Sequence, residues 1–180
     1  LAQGYRVLCM DSFATGSERN VADLKQHPDF LMVRHDIRQP LKITEPVHFV
    51  FHLASRASPG DYQNHAIETL ETNAIGTLHM LHFAGEQRAR FLLASTSEVY
   101  GDPKEHPQPE TYWGNVNPIG IRSCYDEGKR FAEAVVMALH RETGLDARIA
   151  RIFITYGPAM ASGDGRVVPN FITQALRNEP

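Results

Sequence analysis

Tyr125 and Lys129 stand four residues apart in the stretch SCYDEGKR, residues 123–130. On a helix that spacing stacks the phenol and the ammonium on one face. A nearby ammonium favours phenolate over phenol and is expected to draw a tyrosine pKa down from about 10, toward the range in which it acts as a base. Tyr-x-x-x-Lys alone arises often by chance. Its weight here comes from what precedes it: Ser95-Thr96-Ser97-Glu98, three hydroxyls and a carboxylate at the end of an apolar run. Taken alone, those four residues are equally the chemistry of a turn. Together the two groups point to proton abstraction by a tyrosine beside a hydroxyl-rich strand tip.

Such residues need elements to hold them. Short apolar runs predict strands at 5–10, 30–35, 47–53, 90–95 and 146–153, and the continuous runs suit strands covered on both faces. Helical spacing predicts helices over 64–86 and 118–142, the second with an apolar stripe at Phe131, Val135, Ala138 and Leu139 and a stop at Gly144; a further helix is expected over 168–178. Alternating strands and helices indicate an α/β chain with a parallel, doubly wound sheet. Ligands of such sheets sit at the carboxyl ends of the strands. Asp11 ends the first strand, where a carboxylate can accept from both adenosine ribose hydroxyls and would repel a 2′-phosphate, favouring NAD over NADP. His35-Asp36-Ile37 follows the second strand and could bond an adenine edge. Leu53-Ala54-Ser55 ends the third with small residues that allow close backbone approach. The connection 101–117, with three prolines, Tyr112 and Trp113, is too long for a plain turn and is expected to form a structured wall of a site.

Composition narrows the class. The 180 residues are 42% hydrophobic, enough for about one domain. A net charge of -3 offers no basic face for nucleic acid. Two cysteines, Cys9 and Cys124, cannot build a disulfide framework, and Cys124 is read as packing. His48, His52, His79 and His82 lack further ligands, so they are read as hydrogen-bonded histidines and no metal is expected. No apolar run approaches the ~20 residues of a membrane span; a cytoplasmic, reducing compartment is expected. The chain opens on what reads as a helix tail, Leu1 to Gly4, and lacks a glycine-rich phosphate loop, so it is expected to be part of a longer protein whose first strand precedes Leu1. That strand would be central in the order 3-2-1-4-5-6, leaving a slot that separates the first two strands present here from the third.

The motifs LLASTSEVYGDP (92–103), YWGNVNPIG (112–120), SCYDEGKR (123–130), RIF (151–153) and DGRVV (164–168) closely resemble the UDP-glucuronic acid decarboxylases, extended short-chain dehydrogenases/reductases. The resemblance runs through essentially the whole chain. It implies a partial Rossmann domain over 1–180, with most of the substrate domain outside it, and NAD held through the whole cycle. It places Asp11, Ser12 and Phe13 at the adenosine half, Asp36 and Ile37 at the adenine, and Leu53, Ser55 and Thr72 along the cofactor cleft. Thr96 would be the catalytic threonine, Glu98 the acid beside the sugar, and Tyr125 with Lys129 the redox pair that also touches NAD. Thr155 and Arg166 would complete the cofactor side. The implied reaction converts UDP-glucuronate to UDP-xylose through a 4-keto intermediate, and helices 64–86 and 118–142 would pair with their copies in a homodimer.

Three positions depart from the pattern: Ile154 where an asparagine is usual, Glu71 where a lysine is usual, and Ala161. A nucleotide-sugar 4,6-dehydratase needs an acid at the Ser97 position, and a 4-epimerase needs no carboxylate at Glu98, so Thr96-Ser97-Glu98 favours decarboxylation over both. A catalytically silent nucleotide-binding or dimerisation module is the alternative raised by Ile154 and Glu71.

Overall fold

A computed structural model of the chain describes residues 1–161 and 163–179. Strands form at each apolar run, most of them trimmed at an end: β1 Val7–Asp11, β2 Phe30–Arg34, β3 Phe49–His52, β4 Arg90–Thr96 and β5 Ala147–Ile152. All pairings are parallel. β1 pairs with β2, from Val7 opposite Phe30 to Asp11 opposite Arg34. β3, β4 and β5 form a second sheet in that order, with His52, Leu93 and Ile149 in one row. Among the described residues no ladder joins the two sheets, which matches the expected separation of the first two strands from the third. The sheets are tied by side chains instead: Ile37, just after β2, lies in the same core as Val50, Phe91 and Leu93.

The helix expected over 64–86 is interrupted. It comprises α1 Pro59–Asn64, α2 Ala66–Glu71, a π-type turn at Thr72–Gly76 and α3 Thr77–Gln87. His65 leaves helical geometry between α1 and α2 (φ -128°, ψ 47°). The π turn buries Asn73 against Gly128 of the long helix α4, Ser123–Thr143. A Cβ on Gly128 would lie 3.2 Å from that of Asn73, so this glycine permits the close crossing. α4 ends as expected at Gly144, which takes the left-handed conformation (φ 73°). Its buried stripe is Ala132 and Val136, with Val135 and Leu139 at the edge of the core, while Phe131 is exposed. The helix is rolled by about one residue from the stripe read in the sequence, because Tyr125 and Lys129 are also turned inward.

The second sheet is covered unevenly among the described residues. Val50, His52, Phe91, Leu93 and Ser95 are buried under α3 and α4, but Phe49, Phe51 and Leu53 on the other face of the second sheet are exposed. Both packed helices lie on one face. The remaining helix, α5 Val167–Arg177, buries no residue and leaves Phe171, Ile172 and Leu176 in solvent. No helix among the described residues is long and apolar enough to cross a membrane.

Candidate active site

The carboxyl end of β4 and the first two turns of α4 meet in one buried corner, with the end of β5 paired alongside β4. β4 finishes at Thr96, which caps a short 3₁₀ segment, Ser97–Tyr100, its hydroxyl accepting from Glu98 N at 3.3 Å. A hydroxyl cap is what a chain leaving a strand for a helical turn selects. The cap also fixes the threonine side chain at the strand tip, where it acts on the Tyr125 phenol and favours the phenolate. The two groups singled out from the sequence therefore meet, although they lie on separate elements.

Tyr125 is 7% exposed and Lys129 4%. Their electrostatics differ from the expectation. Burial pushes the Tyr125 phenol above its ordinary value, opposed by the Thr96 hydroxyl and by the charges of Arg166 and Arg122. Lys129 is not the group that lowers it. Burial brings the Lys129 ammonium down to about 8, Glu133 opposing, and Nζ donates to Ala94 O at 2.9 Å rather than to the phenol. That nitrogen still lies 6.0 Å from the Tyr125 ring centroid. His52 sits behind it, held neutral at about 3 by burial and by Lys129, its Nε2 bonded to Thr77 Oγ1 at 2.9 Å. It is a hydrogen-bonded core histidine, as is His79, whose Nδ1 meets Ile37 O at 2.8 Å.

Glu98 projects from the 3₁₀ turn and is ion-paired with Arg122, the residue just ahead of α4. Arg122 was not singled out from the sequence; its place beside Tyr125 follows only from the crossing of α4 over β4. Behind the strand tip, Glu133 accepts from Ser95 Oγ at 2.5 Å and from Arg151 at 2.7 Å, and Arg151 donates to the Tyr100 hydroxyl at 2.9 Å. This network ties α4, β4 and β5 together and reaches the long connection. Tyr100 stacks on Tyr112 with centroids 5.9 Å apart, and Arg130 donates to Trp113 O at 2.8 Å. Gly114 adopts φ 90° where a Cβ would approach Val99 O to 2.8 Å, so the wall closes against β4's exit only with glycine there. The connection is structured, with the Trp113 side chain in solvent.

The side expected to meet adenosine is built more lightly. Asp11 is exposed, and its Oδ1 accepts from Phe13 N at 2.7 Å in a local turn that puts Phe13 at φ 57°; Ser12 Oγ lies 3.4 Å from Ala14 N. Asp36 is gripped by Arg38, with Nη2 at 2.7 Å from Oδ2, and this guanidinium holds its carboxyl below the usual range. The same Arg38 reaches Glu71 at 2.9 Å. The acid that looked like a reversed charge in the sequence is thus neutralised within the protein. Ile37 packs so closely under the π turn that a Cβ on Gly76 would fall 2.6 Å from its side chain. Three hydroxyls are turned onto nearby backbone: Ser55 to Arg56 O, Thr72 to Glu68 O and Thr155 to Phe153 O. Leu53 is exposed at the end of β3, Ile154 and Ala161 are exposed beyond β5, and Arg166 is ion-paired with Asp164. Asp11, the Ile37 shelf and the half-buried Ala54-Ser55 turn fit a dinucleotide laid across the strand ends.

Comparison with known proteins agrees with this geometry. The chain is 55% identical over 180 residues to UDP-glucuronic acid decarboxylase 4 of Arabidopsis thaliana, covering all of this chain and 40% of that protein. It is 54% identical over 179 residues to UDP-glucuronic acid decarboxylase 1 of Xenopus tropicalis, covering 99% of this chain and 42% of that one. The chain thus spans less than half the length of these two relatives. Among solved structures, a dTDP-glucose 4,6-dehydratase from Streptomyces venezuelae with NAD bound superposes with a TM-score of 0.84 at 29% identity, over 96% of this chain and 53% of that one. A UDP-glucose 4-epimerase from Thermotoga maritima gives 0.82 at 26% identity, over 99% of this chain and 57% of that one. The model of one family matches from residue 1 to residue 180, across both sheets and the Thr96–Tyr125 corner, and the chain belongs to it: the NAD dependent epimerase/dehydratase family.

Proposed function

We propose that the full-length protein decarboxylates UDP-glucuronate to UDP-xylose through a 4-keto sugar nucleotide, with no net oxidation. The observation that carries this reading is the burial of Thr96, Tyr125 and Lys129 together at one strand tip with the Glu98–Arg122 pair beside them. Identity of 55% to a plant UDP-glucuronic acid decarboxylase supports it.

The residues that would hold NAD are Asp11, Ser12 and Phe13 toward the ribose, Asp36 and Ile37 toward the adenine, and Leu53, Ser55, Thr72, Thr155 and Arg166 along the cleft, with Tyr125 and Lys129 at its reacting end. When bound, NAD supplies the hydride acceptor and, later, the donor. Tyr125 as phenolate takes the proton from the hydroxyl at sugar carbon 4, and Thr96 holds that hydroxyl in line. Lys129, when protonated, supplies the positive charge that favours the phenolate in a corner from which water is excluded. The carboxylate then lies β to a ketone and leaves as carbon dioxide, its bonding pair passing into the enolate. Glu98, oriented by Arg122, is placed to relay a proton to carbon 5. Tyr125 returns its proton to the oxygen at carbon 4 as the ketone is reduced. UDP-glucuronate and one proton become UDP-xylose and carbon dioxide.

Incubating the full-length protein with NAD and UDP-glucuronate tests this: UDP-xylose and stoichiometric carbon dioxide are expected. A 4-epimer with no gas, turnover of a neutral sugar nucleotide to a 4-keto-6-deoxy product, or no turnover at all would overturn it.

The proposal extends to a homodimer through helices 64–86 and 118–142. Its support is the set of exposed apolar residues they carry: Ile67, Leu70, Ile75, Phe131 and Met137. Sedimentation of the full-length protein as a monomer at micromolar concentration would overturn it.

A further inference from the structure

Tyr62 has no place in the chemistry above, yet it is held against its central residue. It lies in α1, is 1% exposed, and its ring is stacked on that of Tyr125, with centroids 4.8 Å apart and planes inclined by 5°. Its backbone carbonyl accepts from Cys124 Sγ at 3.5 Å, pinning α1 to the residue before Tyr125. Its hydroxyl is buried with no hydrogen-bond partner. Burying a phenol that bonds to nothing costs free energy that phenylalanine would avoid, so the hydrogen bond is not what the ring contributes. The segment carrying Arg166 closes over the same place: Ser58, at the start of α1, donates to Asp164 O, and the Arg166 charge acts on Tyr125.

We propose that Tyr62 is a positioning residue for the base: its ring plane fixes the orientation of the Tyr125 ring and seals that face from water. This rests on Tyr125 acting as the base. A phenol rotates about two side-chain bonds, and a flat apolar surface parallel to its ring removes that freedom. The same cover withholds water from the phenolate, consistent with burial being the largest influence on the group.

The test uses the full-length protein with UDP-glucuronate and NAD, and four variants: Tyr62→Phe, Tyr62→Leu, Tyr62→Met and Tyr125→Phe. Tyr62→Leu and Tyr62→Met are expected to lower kcat by about 10- to 100-fold with KM little changed, the scale of an ångström-level misplacement of a reacting group. The acid limb of their kcat profile should move to lower pH, because admitted water stabilises the phenolate. Tyr62→Phe, which restores the plane, should recover turnover. Tyr125→Phe reports separately on the base: near-normal turnover there removes the reading on which this one rests. If Tyr125→Phe is inactive while Tyr62→Leu and Tyr62→Met keep the wild-type kcat and pH profile, Tyr62 is only packing and the proposal falls. It also falls if both non-planar variants fail to fold, or if Tyr62→Phe is as slow as Tyr62→Leu.

Discussion

The two sheets are built from the same parallel strands, yet they hold their functional residues in opposite ways. At the end of β4, Thr96, Tyr125 and Lys129 are buried, and the bonds of Thr96 and Lys129 run to backbone. At the ends of β1 and β2, Asp11 is exposed, and Asp36 is fixed by its neighbour Arg38 in an ion pair open to solvent. β1 and β2 contain no fully buried residue, whereas β4 alternates buried and half-buried positions along most of its length. Proton transfer needs atoms fixed to a fraction of an ångström and a group whose pKa burial can move. Recognition of a ribose needs only a carboxylate at the right strand tip. On the proposed function, the difference in burial follows that difference in task.

Core truncation should expose the contrast most sharply. Leu93→Ala, at 0% exposure in β4, is expected to cost about 2–5 kcal/mol in chemical denaturation of the full-length protein. Leu31→Ala, at 47% exposure in β2, should cost less than about 1 kcal/mol. Equal losses would show that the β1–β2 sheet is as firmly packed as its neighbour.

A second prediction concerns charge. Lys129 titrates near 8 in the folded protein, against about 10.4 in an unfolded chain. Between those values the unfolded chain binds the extra proton, so the stability this group contributes rises with pH, and its burial cost is carried in full below about pH 8. Relative to Lys129→Met, the native protein should therefore gain up to about 3 kcal/mol between pH 7.5 and 10.5. Urea denaturation at several pH values measures this, and a constant difference would mean that Lys129 keeps its proton.

The smallest effect belongs to the lighter region. Glu71→Gln removes one of two carboxylates from a part-exposed arginine that Asp36 still holds. It should cost less than about 1 kcal/mol and change NAD affinity by less than about fivefold, as read by titration. A larger loss would mean that the Asp36–Arg38–Glu71 chain shapes the adenine site as strictly as α4 shapes the catalytic corner.

Much of this arrangement was legible in the chain. The continuous apolar runs announced all five strands to within a few residues, since a strand buried on even one face must be apolar at alternate positions. Gly144 marked the end of α4, because it can take the left-handed turn at little cost. The 64–86 helix read as continuous because helical spacing persists through it. The break at His65 and the π turn at Thr72–Gly76 accompany the packing of Asn73 on Gly128, a contact 55 residues away that no local pattern encodes. The uneven covering of the second sheet was illegible for the same kind of reason: apolar runs say that a strand is hydrophobic, not which helices reach it.

What the sequence determined by itself was the set of candidate groups. Tyr125 and Lys129 are tied by helical period and Thr96 by its place at a strand tip, and local geometry is enough for that. Tertiary structure decided what those groups are next to. It set Tyr125's burial and the direction of its pKa, turned Lys129 onto Ala94, gave Glu98 its Arg122 partner, neutralised Glu71 with Arg38 and laid Tyr62 on Tyr125. Each depends on the distance between residues far apart in the chain, and on how much water their packing leaves between them.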